Sequence, residues 1–189
     1  MKNYRKITSK KKSAGFTLIE LIVTVSVAAI LMSIAVPSFK TMIDSNRLST
    51  GTNELVSAFV LARSEALKRS QNITVCTSTD STSCSGAGNN NFGQGWIVFQ
   101  DCNDNQIIDT SDCDGDTTTP DVAETLINAH SGLKDIEIEM NANASDNLTY
   151  SFSGRPDDNV TFVVKKVGET DALKIKNIVI GRSGRIRTQ

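Results

Sequence analysis

The chain has 189 residues, 20 basic and 21 acidic side chains and a formal charge of −1, which fits one folded domain with appendages. Its 39% hydrophobic content excludes wholesale disorder, a collagen-like repeat and a multi-span membrane protein. The small net charge hides a segregation: residues 1–15 carry six basic side chains and no acid, residues 16–173 carry −12, and the last 16 residues carry five basic side chains and no acid.

After the basic stretch at 1–15 comes Phe16 to Val36, an apolar run of 21 residues with one charge, Glu20. As a helix rising ~1.5 Å per residue it would be ~31 Å long, enough to cross a ~30 Å hydrocarbon layer. It is longer than the ~7–15-residue apolar core of a cleaved secretory signal, so 16–36 is expected to be a transmembrane segment. The basic flank keeps the N-terminus cytoplasmic and exports the rest. An acid inside such a helix is costly unless paired, so Glu20 calls for a partner. Pro37 removes one backbone hydrogen bond and bends the rod. Beyond it, Phe39, Met42, Ile43, Leu55, Val56, Phe59, Val60 and Leu67 recur at helical spacing. The spacing predicts that 37–71 is the amphipathic half of the same helix, which continues through the unfavourable Gly51 to about Gln71.

From 72 to 189 the period changes to two. Strands are expected at Ile73–Thr77, Gly95–Gln100, Glu124–His130, Ile136–Met140, Leu148–Phe152, Val160–Val167 and Leu173–Ile180. A long helix followed by antiparallel strands is an α+β architecture, with the second half of the helix packed on the sheet domain.

Cys76, Cys84, Cys102 and Cys113 all fall in the exported part, where an even count suggests two disulfides out of three possible connectivities. Local pairing, Cys76 with Cys84 and Cys102 with Cys113, is favoured because each bond would staple a polar loop. Zinc is the alternative, and the absence of any Cys-x-x-Cys argues against it. Asp101, Asn103, Asn105, Asp109 and Asp112 stand at positions 1, 3, 5, 9 and 12 of one loop, the offsets of a calcium loop. Gln106 replaces the usual turn glycine and Asp112 the usual Glu, so a solvated acidic hairpin is the simpler reading and weak structural calcium the other. Asp114 and Asp116 add charge without completing a second loop.

No catalytic motif is present, so an enzyme is not expected. His130 is the only histidine, and a lone His is more often structural than a general base. The Asn-x-Ser/Thr triplets at Asn72, Asn147 and Asn159 read as chance. In the tail, Arg185 and Arg187 are two apart and would point to one side of an extended segment. Gly181 and Gly184 would let the chain turn out from the sheet. Clustered Arg and Lys of this kind suit a phosphate backbone, with Arg182 and Lys176 assisting, whereas neutralisation by the protein's own acids is the alternative.

The hexapeptide Gly15-Phe16-Thr17-Leu18-Ile19-Glu20, behind a basic leader and ahead of an apolar helix, resembles the class III signal of type IV prepilins and type II secretion pseudopilins. The resemblance implies cleavage after Gly15 by a prepilin peptidase and methylation of the new amine of Phe16. It implies that Glu20 neutralises a neighbouring subunit's amine during assembly, and that Pro37 is the family's helix-kinking proline. The stretches Asn72–Ser78, Gly95–Asp109 and Glu124–Ile127 are similar to the GspH/FimT branch, which implies a type IV pilin-like fold. Gly184-Arg185-Ile186-Arg187 resembles the tail associated with DNA capture in FimT-type minor pilins of naturally competent bacteria. The implied protein is a minor type IV pilin, held in the inner membrane by a single pass with its C-terminal part in the periplasm, then carried in the extracellular pilus. Its implied partners are other pilins and double-stranded DNA, bound without sequence preference for natural transformation. The alternative is a GspH-type minor pseudopilin of type II secretion.

Overall fold

The computed structural model describes residues 15–86, 88–109, 113, 123–141 and 146–189. The chain divides into two compact units, one ending at Ile43 and the other spanning Asp44–Gln189. Helix α1, Leu18–Arg69, contributes to both.

In the first unit Thr17 caps the helix. Its hydroxyl accepts the Glu20 N–H at 3.3 Å, and its carbonyl accepts the Leu21 N–H. Thr-x-x-Glu is the spacing of a capping box, and an acid in the first turn suits the helix dipole. The apolar side chains from Phe16 to Ile43 are exposed in the single chain, and α1 is long and apolar enough there to cross a membrane.

In the second unit α1 buries Leu48, Leu55, Ala58, Phe59, Ala62 and Ala66, steps of three, four and seven that keep one face inward. Gly51 does not interrupt it: Leu133 lies where a Cβ would stand, so the bare backbone admits a neighbouring side chain. Eight strands follow: β1 Ile73–Thr77, β2 Gly95–Gln100, β3 Leu126–Ser131, β4 Ile136–Asn141, β5 Asn147–Tyr150, β6 Val160–Lys166, β7 Lys176–Ile180 and β8 Ile186–Thr188. They form two antiparallel sheets, ordered β3-β2-β1-β5 and β4-β6-β7-β8. Both sheets and the buried face of α1 close one core, where Phe59 of the helix packs tilted at 4.7 Å against Phe162 of β6 and Phe162 meets Phe92 edge-on at 5.2 Å.

Several strand limits differ from the sequence pattern. The third strand starts at Leu126 rather than Glu124, because the Glu124 side chain holds backbone N–H groups of the preceding loop. The fifth stops at Tyr150, leaving Phe152 in a turn, and Ala172–Lys174 is a 3-10 turn that delays β7 to Lys176. Strands β1 and β2 are buried on both faces, so their alternation does not separate inside from outside. One face meets the helix. The other places Cys76, Ile97 and Phe99 in a smaller cluster under Cys84 and Ile108. The covering loops are closed by disulfides Cys76–Cys84 and Cys102–Cys113, the local pairing, which leaves no thiol for zinc. The main correction is β8: the tail does not leave the sheet but folds back as its last strand.

Candidate functional site

The tail is shaped by a tight turn. The Gly184 N–H donates to the Gly181 carbonyl at 2.7 Å, the Gly181 N–H donates to the Arg185 carbonyl at 3.1 Å, and Gly184 has φ +74°. A three-residue hairpin loop ending in a left-handed residue is a common way to join antiparallel strands, and glycine suits that last place. Arg63 of α1 fixes the turn by donating to the carbonyls of Gly184 at 2.9 Å and Ser183 at 3.1 Å. In β8, Ile186 packs against the main core, so Arg185 and Arg187 project to the opposite side. Both are exposed, about 7 Å apart along the strand. Among the described residues neither has a carboxylate within ion-pair distance.

The other expected members of this set are placed differently. Arg182 pairs with Asp158 at 3.1 Å, with both side chains 73% exposed, so water and salt compete readily for the contact. Lys176 shares the inward side of β7 with Ile178 and Ile180, and its Nζ donates to the Ser49 hydroxyl at 2.8 Å. It belongs to the helix–sheet packing and not to the face of Arg185 and Arg187.

The acidic loop organises itself. Asp101 is fully buried and accepts from the Thr74 hydroxyl at 2.8 Å and from the N–H groups of Asn105 and Gln106 at 3.1 and 3.0 Å. Asn105 donates to Asp109 at 2.8 Å, and Glu124, which the sequence pattern did not single out, accepts the N–H groups of Cys102 and Asp109. Thus Asp101, Asn103, Asn105 and Asp109 do come together, but the Asp101 oxygens are occupied by the loop's own donors. Asp112, Asp114 and Asp116 lie outside the described residues. Among the described residues no group of three or more His, Cys, Asp or Glu is arranged to hold a metal ion.

Burial pushes Asp101 and Glu124 above the ordinary carboxyl range, and mutual repulsion adds to it, with Asp104 acting on Asp101 and Asp101 and Asp109 on Glu124. For these two groups the folded state binds more protons than the unfolded one from their ordinary values, 3.8 and 4.5, up to the raised ones. Stability from them therefore falls as pH rises across that window and is flat above it. Glu65, Asp80 and Glu169 are held low, chiefly by hydrogen bonds from Arg69, Ser83 and the Asp171 backbone, and their contribution is lost only as pH falls through their lowered values. The expected result is a stability maximum in the mildly acidic range. Denaturant midpoints measured between about pH 4 and 7 check it, and Asp101→Asn should flatten the decline toward neutrality. A parent profile that rises steadily to neutrality would contradict it.

His130 stacks on Trp96 with ring centroids 4.1 Å apart and lies 3.3 Å from Glu54, a packing role rather than a catalytic one. Gly15, Phe16 and Glu20 are exposed at the start of the described chain, and Pro37 is within α1, where its carbonyl accepts the Thr41 hydroxyl at 3.2 Å.

Residues 51–184 match the family described as Type II transport protein GspH, and residues 10–36 match the prokaryotic N-terminal methylation motif. Among solved structures, the fold is similar to the type IV minor pilin FimU of Pseudomonas aeruginosa, with 20% identity and a TM-score of 0.52 over 76% of this chain and 89% of that one. It is also similar to the minor pseudopilin EpsH of the Vibrio cholerae Type 2 Secretion System, with 12% identity and a TM-score of 0.46 over 76% of this chain and 96% of that one. No curated protein matches the chain.

Proposed function

Because this chain belongs to the GspH family of pilin-like proteins, structural subunits rather than enzymes, we propose that it is a minor type IV pilin that also binds DNA through Arg185 and Arg187. The methylation motif implies processing by prepilin peptidase and assembly with other pilins, and its apolar helix is consistent with inner-membrane anchoring before assembly. In this reading Gly15 precedes the cut, Phe16 carries the methylated amine and Glu20 meets a neighbouring subunit's amine, a pairing that offsets the cost of an acid among apolar helices. The Asp44–Gln189 unit is then periplasmic, and extracellular once in the filament.

The observation that carries the DNA reading is the pair of guanidiniums, unpartnered among the described residues, on one side of an edge strand. Arginine forks match phosphate oxygens, and two of them at strand spacing read a backbone without reading bases. Arg182 can join by exchanging Asp158 for phosphate. The test is a low-salt gel shift of the full-length protein in mild detergent with duplex DNA. The Arg185→Ala, Arg187→Ala double variant is expected to bind at least about tenfold more weakly, with a salt slope shallower by about two. Equal affinity would remove the DNA role. The family's own description favours a second reading, a minor pseudopilin of type II secretion. A parent protein that does not shift duplex DNA would favour that reading.

A further inference from the structure

The turn that carries Arg185 occurs twice. Ser-Gly-Arg stands at Ser153–Arg155 and again at Ser183–Arg185. In residues 151–155 the Gly154 N–H donates to the Ser151 carbonyl at 2.8 Å, and the Ser151 N–H donates to the Arg155 carbonyl at 2.9 Å. The same two bonds close residues 181–185, and the glycines match as well, with φ +70° at Gly154 and +74° at Gly184.

The two turns touch. The Gly154 carbonyl oxygen lies 2.6 Å from where a Cβ on Gly184 would stand, so the backbones pass at a distance that only glycine permits. Both rest on α1, one over Leu67 and the other on Arg63. Arg155 and Arg185 therefore hold equivalent places on adjoining turns. Arg155 is exposed and, like Arg185, has no carboxylate within ion-pair distance among the described residues. The place that Arg182 fills in one turn is filled by Phe152 in the other, and its ring is 64% exposed.

We propose that residues 151–155 are the second half of the nucleic-acid site and that its preferred ligand is single-stranded DNA. The proposal rests on the reading of Arg185 and Arg187 as phosphate contacts. Arg155 adds a third exposed guanidinium on the adjoining turn, unpaired among the described residues, and Phe152 offers an exposed apolar ring on that same turn. A duplex keeps its base faces stacked on each other and gains nothing from such a ring. A single strand can turn a base onto it, whatever the base, while the arginines hold the flanking phosphates. Leu67, half-exposed under Gly154, extends the apolar floor on which a base or its sugar can rest.

The experiment is fluorescence anisotropy on the full-length protein in mild detergent, with an oligothymidylate and a duplex of equal length as probes. The parent is expected to bind the single strand more tightly than the duplex. Phe152→Ala should weaken single-strand binding about fivefold or more and leave the duplex unchanged, with Phe152→Trp restoring the difference. Arg155→Ala should weaken both probes and lower the salt slope by about one. Unfolding followed through Trp96, the only tryptophan of the parent, checks that each alanine variant is folded, and far-ultraviolet circular dichroism does so for Phe152→Trp. The proposal is overturned if Phe152→Ala binds both probes like the parent while the Arg185, Arg187 double variant is weakened, an outcome that leaves the phosphate reading standing. If the double variant also binds like the parent, the phosphate reading fails and the proposal fails with it. A Phe152→Ala protein that binds both probes normally but no longer assembles with other pilins assigns the ring to a protein contact, and also overturns the proposal.

Discussion

Gly184→Val is expected to destabilise the Asp44–Gln189 unit by about 2–5 kcal/mol, from two independent causes. The residue has φ +74°, a left-handed conformation that costs an L side chain about 1–2 kcal/mol, more when the side chain is branched at Cβ. The new side chain would also start 2.6 Å from the Gly154 carbonyl oxygen and 2.9 Å from the Arg63 guanidinium. The carbonyl belongs to a hydrogen-bonded turn and the guanidinium is held by two bonds, so neither can move aside without losing contacts; overpacking of this kind typically costs about 1–3 kcal/mol more. A single domain has about 5–15 kcal/mol in all, so the change should be plain in a denaturant titration followed through Trp96. Arg185→Ala, one residue further on and facing solvent, should change stability by no more than about 0.5 kcal/mol. If the valine variant unfolds within about 1 kcal/mol of the parent, the two turns are free to separate and do not form a fixed platform.

Phe59→Ala is expected to cost about 3–5 kcal/mol. The ring is fully buried in the core that the helix shares with both sheets, tilted against Phe162, which in turn contacts Phe92. Its removal leaves a cavity beside the Phe162 ring and the hydrogen-bonded strands, which can collapse only in part. Combining it with Phe162→Ala should show a coupling of about 0.5–1.5 kcal/mol, the usual range for an aromatic pair. Additive effects would mean that the two rings are only neighbours. Phe152→Ala makes the informative contrast: the same chemical change on the surface should leave stability nearly untouched.

The long helix and seven of the strands were readable because each is long enough to show a period, and the helix kept its apolar face through Gly51. Strand β8 was not, since Ile186–Thr188 has too few residues to display an alternation. What holds it is remote in sequence: pairing with β7 and the grip of Arg63 on the turn before it. Lys176 looked like part of the basic tail because the count of charges ignores direction. Two-residue alternation already placed it on the side of Ile178 and Ile180, and that signal was there to be used. Arg155 was masked by Asp157 and Asp158 just after it, although the repeated Ser-Gly-Arg triplet marks it. In the acidic loop the offsets count oxygens without saying which are already bonded, and the structure shows those of Asp101 accepting from Thr74, Asn105 and Gln106.

The smaller cluster formed by Cys76, Ile97 and Phe99 gives the second unit two ways of closing. The core between helix and sheets contains no cysteine and needs only water to drive its burial. The outer face of β1 and β2 is covered by loops whose ends are joined through sulfur, so its closure needs an electron acceptor as well. One side of the same sheet is thus completed by solvent and the other by chemistry, and the moment an oxidant arrives decides when the apolar surface of Ile97 and Phe99 stops being available to other chains.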